Sequence, residues 1–402
     1  MAELVVRGAE SAEETRQANE LMAKAQWNYF DAIRWMENTG DGYPGYAREH
    51  TRMAWLHGEL AGALRLTTDT IRIGEARLKM GGLGWVTTAS HHRHQGVARE
   101  LIGDALHYMK SHGYHVAMLF GIPNFYHRFG FTTALAEYST TVTVAEAAEV
   151  PHDPFRIRPA KPGDIPALQR IHAGNDTDVA CSLLRSAAHI TNKWGRWKPA
   201  QAITNPDGRV TGYLLPRGAD ETLHVEDFGV ADRACCGALL KACADIAAAD
   251  YRSRIRFAGP PSHPFLQFLH QYKSIHETEI TRNQGGMMTF IDIGEALESM
   301  IPEWENLLSR SAARTLKTEI TLLVDKRPFR IRAHRGVVDV AQTSGANKVS
   351  LSAAELMHLT TGYRYLDEIL SQRRRILNAE GKGLLTAIFP KRTPYVWVID
   401  RF

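Results

Sequence analysis

The segment from Gly84 to Gly113 constrains the fold of this chain most, because it combines a strand, a short basic loop and an amphipathic helix in direct succession. Residues 84–89 have an extended pattern. After the loop, apolar side chains recur at helical spacing on one face, namely Val97, Leu101, Ile102, Ala105, Leu106 and Met109. Gly113 supplies the C-terminal stop. The pattern predicts a strand–loop–helix unit with the loop at the N-terminus of the helix.

The loop itself has the features of a diphosphate cradle, with the sequence Arg93-His94-Gln95-Gly96-Val97-Ala98. The first N–H groups of a helix have no intrahelical partners, and the helix dipole adds partial positive charge there. A phosphate is stabilised at such a place. Gly96 lets a ligand approach the backbone, Ala98 keeps the next contact small, and Arg93 offers a charge-assisted hydrogen bond. We therefore predict that residues 93–98 bind phosphate groups.

A second motif lies beyond the helix, after one further predicted strand. Residues 114–120 form an apolar run between two glycines, as expected for a buried strand. The sequence Asn-Phe-Tyr-His-Arg-Phe-Gly-Phe then occupies residues 124–131 and contains Tyr126.

These two motifs together resemble the GNAT acetyltransferases. The spacing Arg93-x-x-Gly96-x-Ala98 matches their acetyl-CoA signature, Gln/Arg-x-x-Gly-x-Gly/Ala, and residues 124–131 resemble the F-Y-x-x-x-G-F segment that follows the fifth strand. Predicted upstream elements complete the same order: a strand at 4–7, a helix near 12–26, and a hairpin of strands 51–56 and 60–68. The resemblance implies a catalytic GNAT domain over residues 1–148, with acetyl-CoA as co-substrate.

A chain of 402 residues is too long for one such domain and predicts two or three. Hydrophobic periodicity is interrupted at 145–154, after which Phe155 begins a new strand and Asp164 is a suitable helix N-cap. The corresponding phosphate loop is missing, because Asp232 lies there without the glycine pattern. We predict that residues 149–288 form a second, degenerate GNAT-like domain.

The remaining segment, residues 289–402, resembles the sterol-carrier-protein-like domain appended to one bacterial acetyltransferase group. Its predicted elements are a helix from Gly294, paired strands at 316–324 and 329–334, a helix capped by Ser352, a basic helix around 372–376 and a final strand at 395–399. The predicted fold class is α/β (α+β), with tandem GNAT-like domains followed by a sterol-carrier-like α+β domain.

The whole arrangement, in a chain that ends on phenylalanine, resembles the enhanced intracellular survival (Eis) acetyltransferases. In that family the matching tyrosine is the proposed general acid and the terminal carboxylate the proposed general base. The resemblance therefore implies these roles for Tyr126 and for the α-carboxylate of Phe402. It further implies direct attack by an amine acceptor, such as an aminoglycoside, a small polyamine or a lysine side chain, and a homo-oligomer, specifically a hexamer.

The implied roles suit acyl transfer. A carboxylate that is ionised at neutral pH accepts the proton of the attacking amine. A tyrosine hydroxyl donates a proton or a hydrogen bond to the departing CoA sulfur. Family geometry implies that the backbone N–H groups of Val86, Thr87 and Thr88 meet the developing oxyanion. One feature departs from the family: His94 and Gln95 replace arginines that relatives often carry before the glycine, which predicts weaker binding of the CoA phosphates.

Several classes of ligand are disfavoured by the sequence. His91, His92 and His94 lack the spacing of a structural zinc site and have no nearby cysteine partner, so no metal is predicted. A net charge of +4 indicates no nucleic-acid partner. The N-terminal residues are largely polar and no apolar run reaches membrane-spanning length, which predicts a cytoplasmic protein without a membrane partner. The four cysteines are expected to be free thiols.

The acceptor is not determined by the sequence. Aromatic and acidic residues of the early helices suit a polycationic acceptor, but they equally suit a domain interface; they are Trp27, Tyr29, Phe30, Asp31, Trp35 and Glu37. Two other classes of protein stay open: a carrier of lipid or another hydrophobic ligand with a vestigial transferase site, and an acyl-CoA-binding regulatory or assembly protein without catalysis.

Overall fold

The computed structural model describes residues 4–25, 28–151, 154–218, 220–371 and 377–402. The chain divides into two compact units. The first contains Met1–Leu135, Thr281–Arg392 and Phe402, and the second contains Ala136–Ile280 and Thr393–Arg401. The division into three domains stays a prediction, and the predicted basic helix at 372–376 lies outside the described residues.

The first part of the chain contains the predicted strand–loop–helix unit. Its elements are β1 (Leu4–Gly8), α1 (Ala12–Lys24), α2 (Tyr29–Asn38), β2 (Thr51–Leu56), β3 (Glu59–Ile73), β4 (Ala76–Thr88), α3 (Val97–Ser111), β5 (Val116–Gly121) and β6 (Thr132–Thr133). The predicted strands and helices of this region are confirmed, but β3 extends five residues beyond the predicted strand at 60–68, and β4 begins eight residues before the predicted strand at 84–89.

The middle of the chain supplies the second unit. Its elements are β7 (Glu137–Thr143), α4 (Val144–Ala148), β8 (Arg156–Pro159), α5 (Ile165–Asn175), β9 (Val179–Ala180), β10 (Ser182–Leu183), α6 (Ala187–Asn192), α7 (Trp194–Trp197), β11 (Gln201–Thr204), β12 (Val210–Gly218), β13 (Thr222–Val230), α8 (Cys236–Ala249), β14 (Arg254–Ala258), α9 (Pro264–Phe268) and β15 (Ser274–Glu279).

The last part of the chain adds a further strand, two helices, a small sheet, three more helices and a final two-residue strand. Its elements are β16 (Gly285–Phe290), α10 (Ile293–Ser299), α11 (Ile301–Ser309), β17 (Lys317–Val324), β18 (Arg327–His334), β19 (Val337–Ala341), β20 (Lys348–Leu351), α12 (Ala353–Thr361), α13 (Leu366–Leu370), α14 (Ala379–Ile388) and β21 (Thr393–Pro394). The predicted strand pair is confirmed, in a sheet of order β19-β18-β17-β20.

The main sheet of the first unit has the order β1-β2-β3-β4-β5-β16-β6. Helix α3 packs on one face through Val97, Leu101 and their neighbours, whereas α1 and α2 pack on the other face. Strands β4 and β5 pair in parallel only where Met80–Gly82 meets Val116–Met118, although β4 continues to Thr88. The ladder therefore ends early and leaves an opening between these two strands.

The sheet of the second unit repeats this arrangement in the order β15-β7-β14-β13-β12-β11-β8. Strands β13 and β14 pair in parallel over Thr222–Val225 and Arg254–Phe257, and β13 then continues to Val230. The next turn differs from the first unit, because the side chain of Asp232 accepts a hydrogen bond from the N–H of Ala234 at 3.0 Å. The carboxylate places negative charge at the start of this helical segment, where a phosphate would otherwise be stabilised.

The predicted final strand at 395–399 is wrong. The structure has a two-residue strand, β21, followed by a 3-10 turn at Val398–Asp400. The side chains of Tyr395, Val396, Trp397 and Ile399 are all buried, so the segment lacks the alternation of a half-buried strand. The Trp397 indole N–H donates to the buried carboxylate of Asp176 at 2.9 Å. Packing within the second unit therefore accounts for the apolar run.

Two compositional expectations can be compared with the structure. The four cysteines are all free, as predicted, and all four are buried; they are Cys181, Cys235, Cys236 and Cys243. Among the described residues, none of the helices combines the length and apolar character needed to cross a membrane.

His263 makes the stability of the second unit dependent on pH. Its buried Nδ1 accepts from the N–H of Phe265 at 3.2 Å, and burial lowers the pKa of the imidazole to about 3. An unfolded histidine has a pKa of about 6.5. The stabilisation is therefore complete above pH 6.5 and is lost as pH falls toward the folded pKa, by about 1.4 kcal/mol per pH unit.

We expect the thermal unfolding temperature to fall as the pH is lowered from 6.5 to 4.5. The unfolding temperature of His263→Asn should fall less steeply over the same range. Asparagine keeps an acceptor for the Phe265 N–H but does not titrate. Differential scanning calorimetry across the pH series measures both slopes. Equal slopes in the two proteins would contradict the role of His263.

Candidate active site

The predicted phosphate loop lies at the start of α3 in the geometry that an anion site requires. Gly96 is the N-cap residue with φ +84°, and no side chain caps the helix. His94 also has positive φ, at +65°. Two left-handed residues so close together turn the chain sharply into the helix. The first N–H groups of α3 are thereby left without a side-chain acceptor at the N-cap.

A cavity of about 490 Å³ opens at this helix end. Its wall contains the predicted residues Thr88, Arg93, His94, Gly96, Val97 and Ala98, together with His92, Arg99, Phe125, Arg128 and Phe129. Three guanidinium groups therefore surround a helix N-terminus, which is the electrostatic setting that a diphosphate favours. Gln95 does not line the cavity; its amide donates to the carbonyl of His91 at 3.3 Å.

The cavity contains residues that the sequence interpretation missed. Arg99 and Arg128 lie in its wall with Phe125 and Phe129. The only signal for Arg128 was its position inside the second motif, two residues after Tyr126. Arg99 pairs with Glu100 at 3.0 Å, so within the described residues Arg128 is the residue that adds an unpaired positive charge to the cavity wall. The predicted weakening of phosphate binding stays a prediction.

Strand β4 is irregular where it approaches the cavity. Ala63 pairs with Thr87 and Arg65 pairs with Gly84, so Leu64 on β3 faces two residues, Trp85 and Val86, on β4. Trp85 adopts φ +59°. This is a β-bulge, and the extra residue of a bulge is left out of the ladder. The predicted oxyanion residues Val86, Thr87 and Thr88 thus lie at or just after the bulge.

Phe402 lies over β4 beside the opening in the sheet. A Cβ atom at Gly84 would lie 3.1 Å from the carboxyl carbon of Phe402, and one at Gly82 would lie 2.5 Å from its ring. The ring also lies 6.2 Å from that of Phe120 on β5. Only glycine at positions 82 and 84 leaves room for this residue. The structure therefore places the Phe402 carboxyl group on β4, next to the bulge.

Tyr126 lies at the end of β5. Its ring packs where a side chain at Gly121 would otherwise project, since a Cβ there would lie 2.6 Å from the tyrosine Cδ2. The ring is in edge contact with Phe125 at 5.0 Å. Burial raises the pKa of the hydroxyl above its usual value, so the group is protonated at neutral pH and can donate. Tyr126 thus packs against β5 and Phe402 against β4, the two strands that separate at the opening.

An aromatic wall lies beside Phe402. Trp35 of α2 and Trp85 of the bulge have ring centroids 5.3 Å apart, and Tyr29 and Phe402 pack against the same cluster. Phe30 is exposed instead, at 78%. The carboxylates of Asp31 and Glu37 are also exposed, and Trp27 lies outside the described residues. Of the predicted acceptor residues, the structure brings Tyr29 and Trp35 to this cluster.

A second cavity, of about 560 Å³, lies near β1 and the end of α3. Its cations are already neutralised: Arg7 bonds to Glu14 at 2.6 Å and Arg52 to Asp104 at 2.6 Å. In the cavity at α3, Arg99 pairs with Glu100 at 3.0 Å, but Arg93 and Arg128 have no ion-pair partner within the described part of the chain. The cavity at α3 is therefore the better anion site.

Residues 6–134 match the sequence model of the GNAT acetyltransferase domain. This match supports an acyltransferase enzyme whose GNAT domain lies in residues 6–134. None of the curated proteins compared with the chain matches it significantly.

The solved structures that resemble the chain extend the likeness to its full length. A GCN5-related N-acetyltransferase from Anabaena variabilis has a TM-score of 0.76 at 16% identity, with 100% of both chains covered. An Enterococcus faecalis protein of unknown function, described as a probable N-acyltransferase, has a TM-score of 0.76 at 14% identity, with 100% of both chains covered. Eis1 from Mycobacterium abscessus has a TM-score of 0.63 at 16% identity, again with 100% of both chains covered. At these identities the likeness concerns the fold, and the predicted mixed α/β class with GNAT-fold sheets is confirmed.

Proposed function

We propose that this chain transfers acetyl from acetyl-CoA to an amine of a small polyamine-like or aminoglycoside-like acceptor, or of a lysine side chain. One observation carries the proposal: the arginine-lined cavity at α3 adjoins the bulged end of β4, beside the opening between β4 and β5. A diphosphate at α3 would direct the rest of a CoA molecule along that opening. Acetyl-CoA is the donor that GNAT enzymes generally use.

The proposed reaction is a direct attack. The neutral amine nitrogen bonds to the thioester carbon, and the α-carboxylate of Phe402 takes the proton that the nitrogen loses. Backbone N–H groups at residues 86–88 stabilise the oxyanion of the tetrahedral intermediate. The carbon–sulfur bond then breaks, and the Tyr126 hydroxyl protonates or hydrogen-bonds the departing sulfur. The products are the acetylated amine and CoA.

Aromatic residues near Phe402 support a cationic acceptor. Trp85 and Phe402 are partly exposed beside the proposed base, and cations are attracted to the faces of aromatic rings. An acceptor with several amines would keep one ammonium on the rings while another, neutral amine attacks.

The cavity residues can be tested without any acceptor. Arg128→Ala should raise the dissociation constant of acetyl-CoA about tenfold, because a charge-assisted contact to phosphate is lost. Isothermal titration calorimetry measures the change, and Lys110→Ala, at the other end of α3, is the matched control. A similar loss of acetyl-CoA affinity in both variants would contradict a specific contact between Arg128 and phosphate.

The activity itself is tested by CoA-thiol release from acetyl-CoA, with an untagged C-terminus and with aminoglycosides, polyamines and a lysine-rich peptide as parallel acceptors. Release with at least one amine supports an N-acetyltransferase. Binding of acetyl-CoA without release across the panel would contradict it and favour an acyl-CoA-binding carrier or regulatory protein.

Three further features belong to the same proposal. We propose a GNAT domain at 1–148, a degenerate copy at 149–288 and a sterol-carrier-like domain at 289–402; the last is supported by the four-stranded sheet β17–β20 and the helices after it. The resemblance to Eis enzymes supports a cytoplasmic homohexamer. Light scattering after size-exclusion chromatography measures the oligomeric state.

A further inference from the structure

Three potential metal ligands meet beside the phosphate loop. Glu59 begins β3, and His91 and His92 lie in the 3-10 turn Ser90–His92 that precedes Arg93. Their ligand atoms all lie within 4.8 Å of one another. The Nε2 atoms of His92 and His91 are 3.3 and 3.7 Å from Oε2 of Glu59. We propose that these three residues form a Zn²⁺ site.

The state of His92 supports a ligand rather than a simple ion pair. Its side chain is 9% exposed, and its buried Nε2 makes no hydrogen bond within the described residues. A buried imidazole nitrogen without a hydrogen bond is costly, since buried polar groups are normally satisfied. A cation between Nε2 and Glu59 satisfies it, because neutral imidazole and carboxylate are both zinc ligands.

The distances from the two histidines to Glu59 also fit. A tetrahedral Zn²⁺ ion with bonds of about 2.0–2.1 Å holds its ligand atoms about 3.3–3.5 Å apart. The two histidine-to-glutamate separations of 3.3 and 3.7 Å fall at or close to that range. Two histidines and one glutamate supply three ligands, and a water molecule completes the tetrahedron.

No metal was predicted from the sequence because the histidines lack the spacing of a structural zinc site and have no nearby cysteine partner. Glu59 is remote from them along the chain, and only the pairing of β3 with β4 brings it to the turn.

The site would act as a clamp on the phosphate loop. His92 lines the cavity, and the next residue is Arg93. A metal bond from His92 to Glu59 would fix the turn against β3 and thus hold Arg93 and the start of α3 in position. We therefore infer that Zn²⁺ tightens acetyl-CoA binding, an effect that rests on the proposed function of the cavity.

The metal site is tested first, with Zn²⁺ alone. Untagged full-length protein is stripped with a chelator and titrated with Zn²⁺ by calorimetry, and Co²⁺ is added separately to record the visible bands of tetrahedral coordination. The unaltered protein should bind one Zn²⁺, and Glu59→Gln and His91→Asn should each bind at least about tenfold more weakly. Both positions are exposed, so these variants should fold. His107→Asn, an exposed histidine on α3, is the matched control.

Weak binding that all variants share would overturn the site, because it would reflect scattered surface histidines. The same conclusion follows if Glu59→Gln binds Zn²⁺ as tightly as the unaltered protein.

The clamp is tested next by measuring acetyl-CoA binding with and without Zn²⁺. Acetyl-CoA is used because it has no free thiol to chelate the metal. Zn²⁺ should lower its dissociation constant several-fold in the unaltered protein and in His107→Asn, but not in His91→Asn. Zn²⁺ binding without this difference would overturn the clamp. Zn²⁺ binding with no acetyl-CoA affinity in any protein would leave the metal site standing and contradict the proposed function.

Discussion

A short Gly-Ser extension after Phe402 should lower kcat by about 10²- to 10⁴-fold, because it converts the proposed base into a neutral amide. The acetyl-CoA dissociation constant should change little, since the phosphate cavity at α3 is untouched. Thiol-release kinetics and calorimetry measure the two quantities. The same extension at the N-terminus is the control, and an extended protein with full kcat would rule out the Phe402 carboxylate as base.

Gly84→Ala tests the same group without altering the chain end. The new Cβ would lie 3.1 Å from the carboxyl carbon of Phe402, which is tighter than nine in ten real contacts, so the carboxyl group must shift by a few tenths of an ångström. Displacement of a catalytic group by a fraction of an ångström should lower kcat about tenfold. Gly103→Ala on α3, where a Cβ meets no atom within 4 Å, is the matched control. Full activity in Gly84→Ala would contradict the assigned position of the carboxylate.

Tyr126→Phe should lower kcat about 10²-fold and leave the acetyl-CoA KM nearly unchanged. The phenylalanine ring keeps the packing on Gly121 and Phe125, and only the hydroxyl that meets the departing sulfur is lost. Steady-state kinetics at saturating acceptor separate the two parameters. Tyr251→Phe is the control, because Tyr251 is 97% exposed in the second unit. Equal loss in kcat and in acetyl-CoA binding would assign Tyr126 to packing instead of catalysis.

The strand–loop–helix unit was predictable because its signals are local. The helical face that begins at Val97 and the positive φ required at Gly96 depend on residues a few positions apart. The same holds for the second motif, in which Gly121 and Tyr126 are close in sequence and in space. Hydrophobic periodicity and glycine positions are sufficient for such segments.

The final apolar run shows where local signals mislead. Residues 395–397 form no strand and residues 398–400 form a 3-10 turn, because Trp397 bonds to Asp176 and the segment packs into the second unit. An irregular segment that is buried on all sides and a buried strand can have similar apolar sequences. Only the residues that pack against the segment distinguish the two.

The sequence by itself determined the order of elements in the GNAT domain and the helix that begins after the loop at residues 93–98. It also predicted phosphate binding at that loop, and its family resemblance supplied the candidate acid and base. Tertiary structure alone decided that β16 inserts between β5 and β6 and that Arg128 joins Arg93 in one cavity. It also decided that Phe402 rests on Gly84 and that Glu59 meets His92. The physical reason is that these contacts join residues far apart in the chain, whose meeting depends on strand pairing and packing across the whole sheet rather than on neighbouring residues.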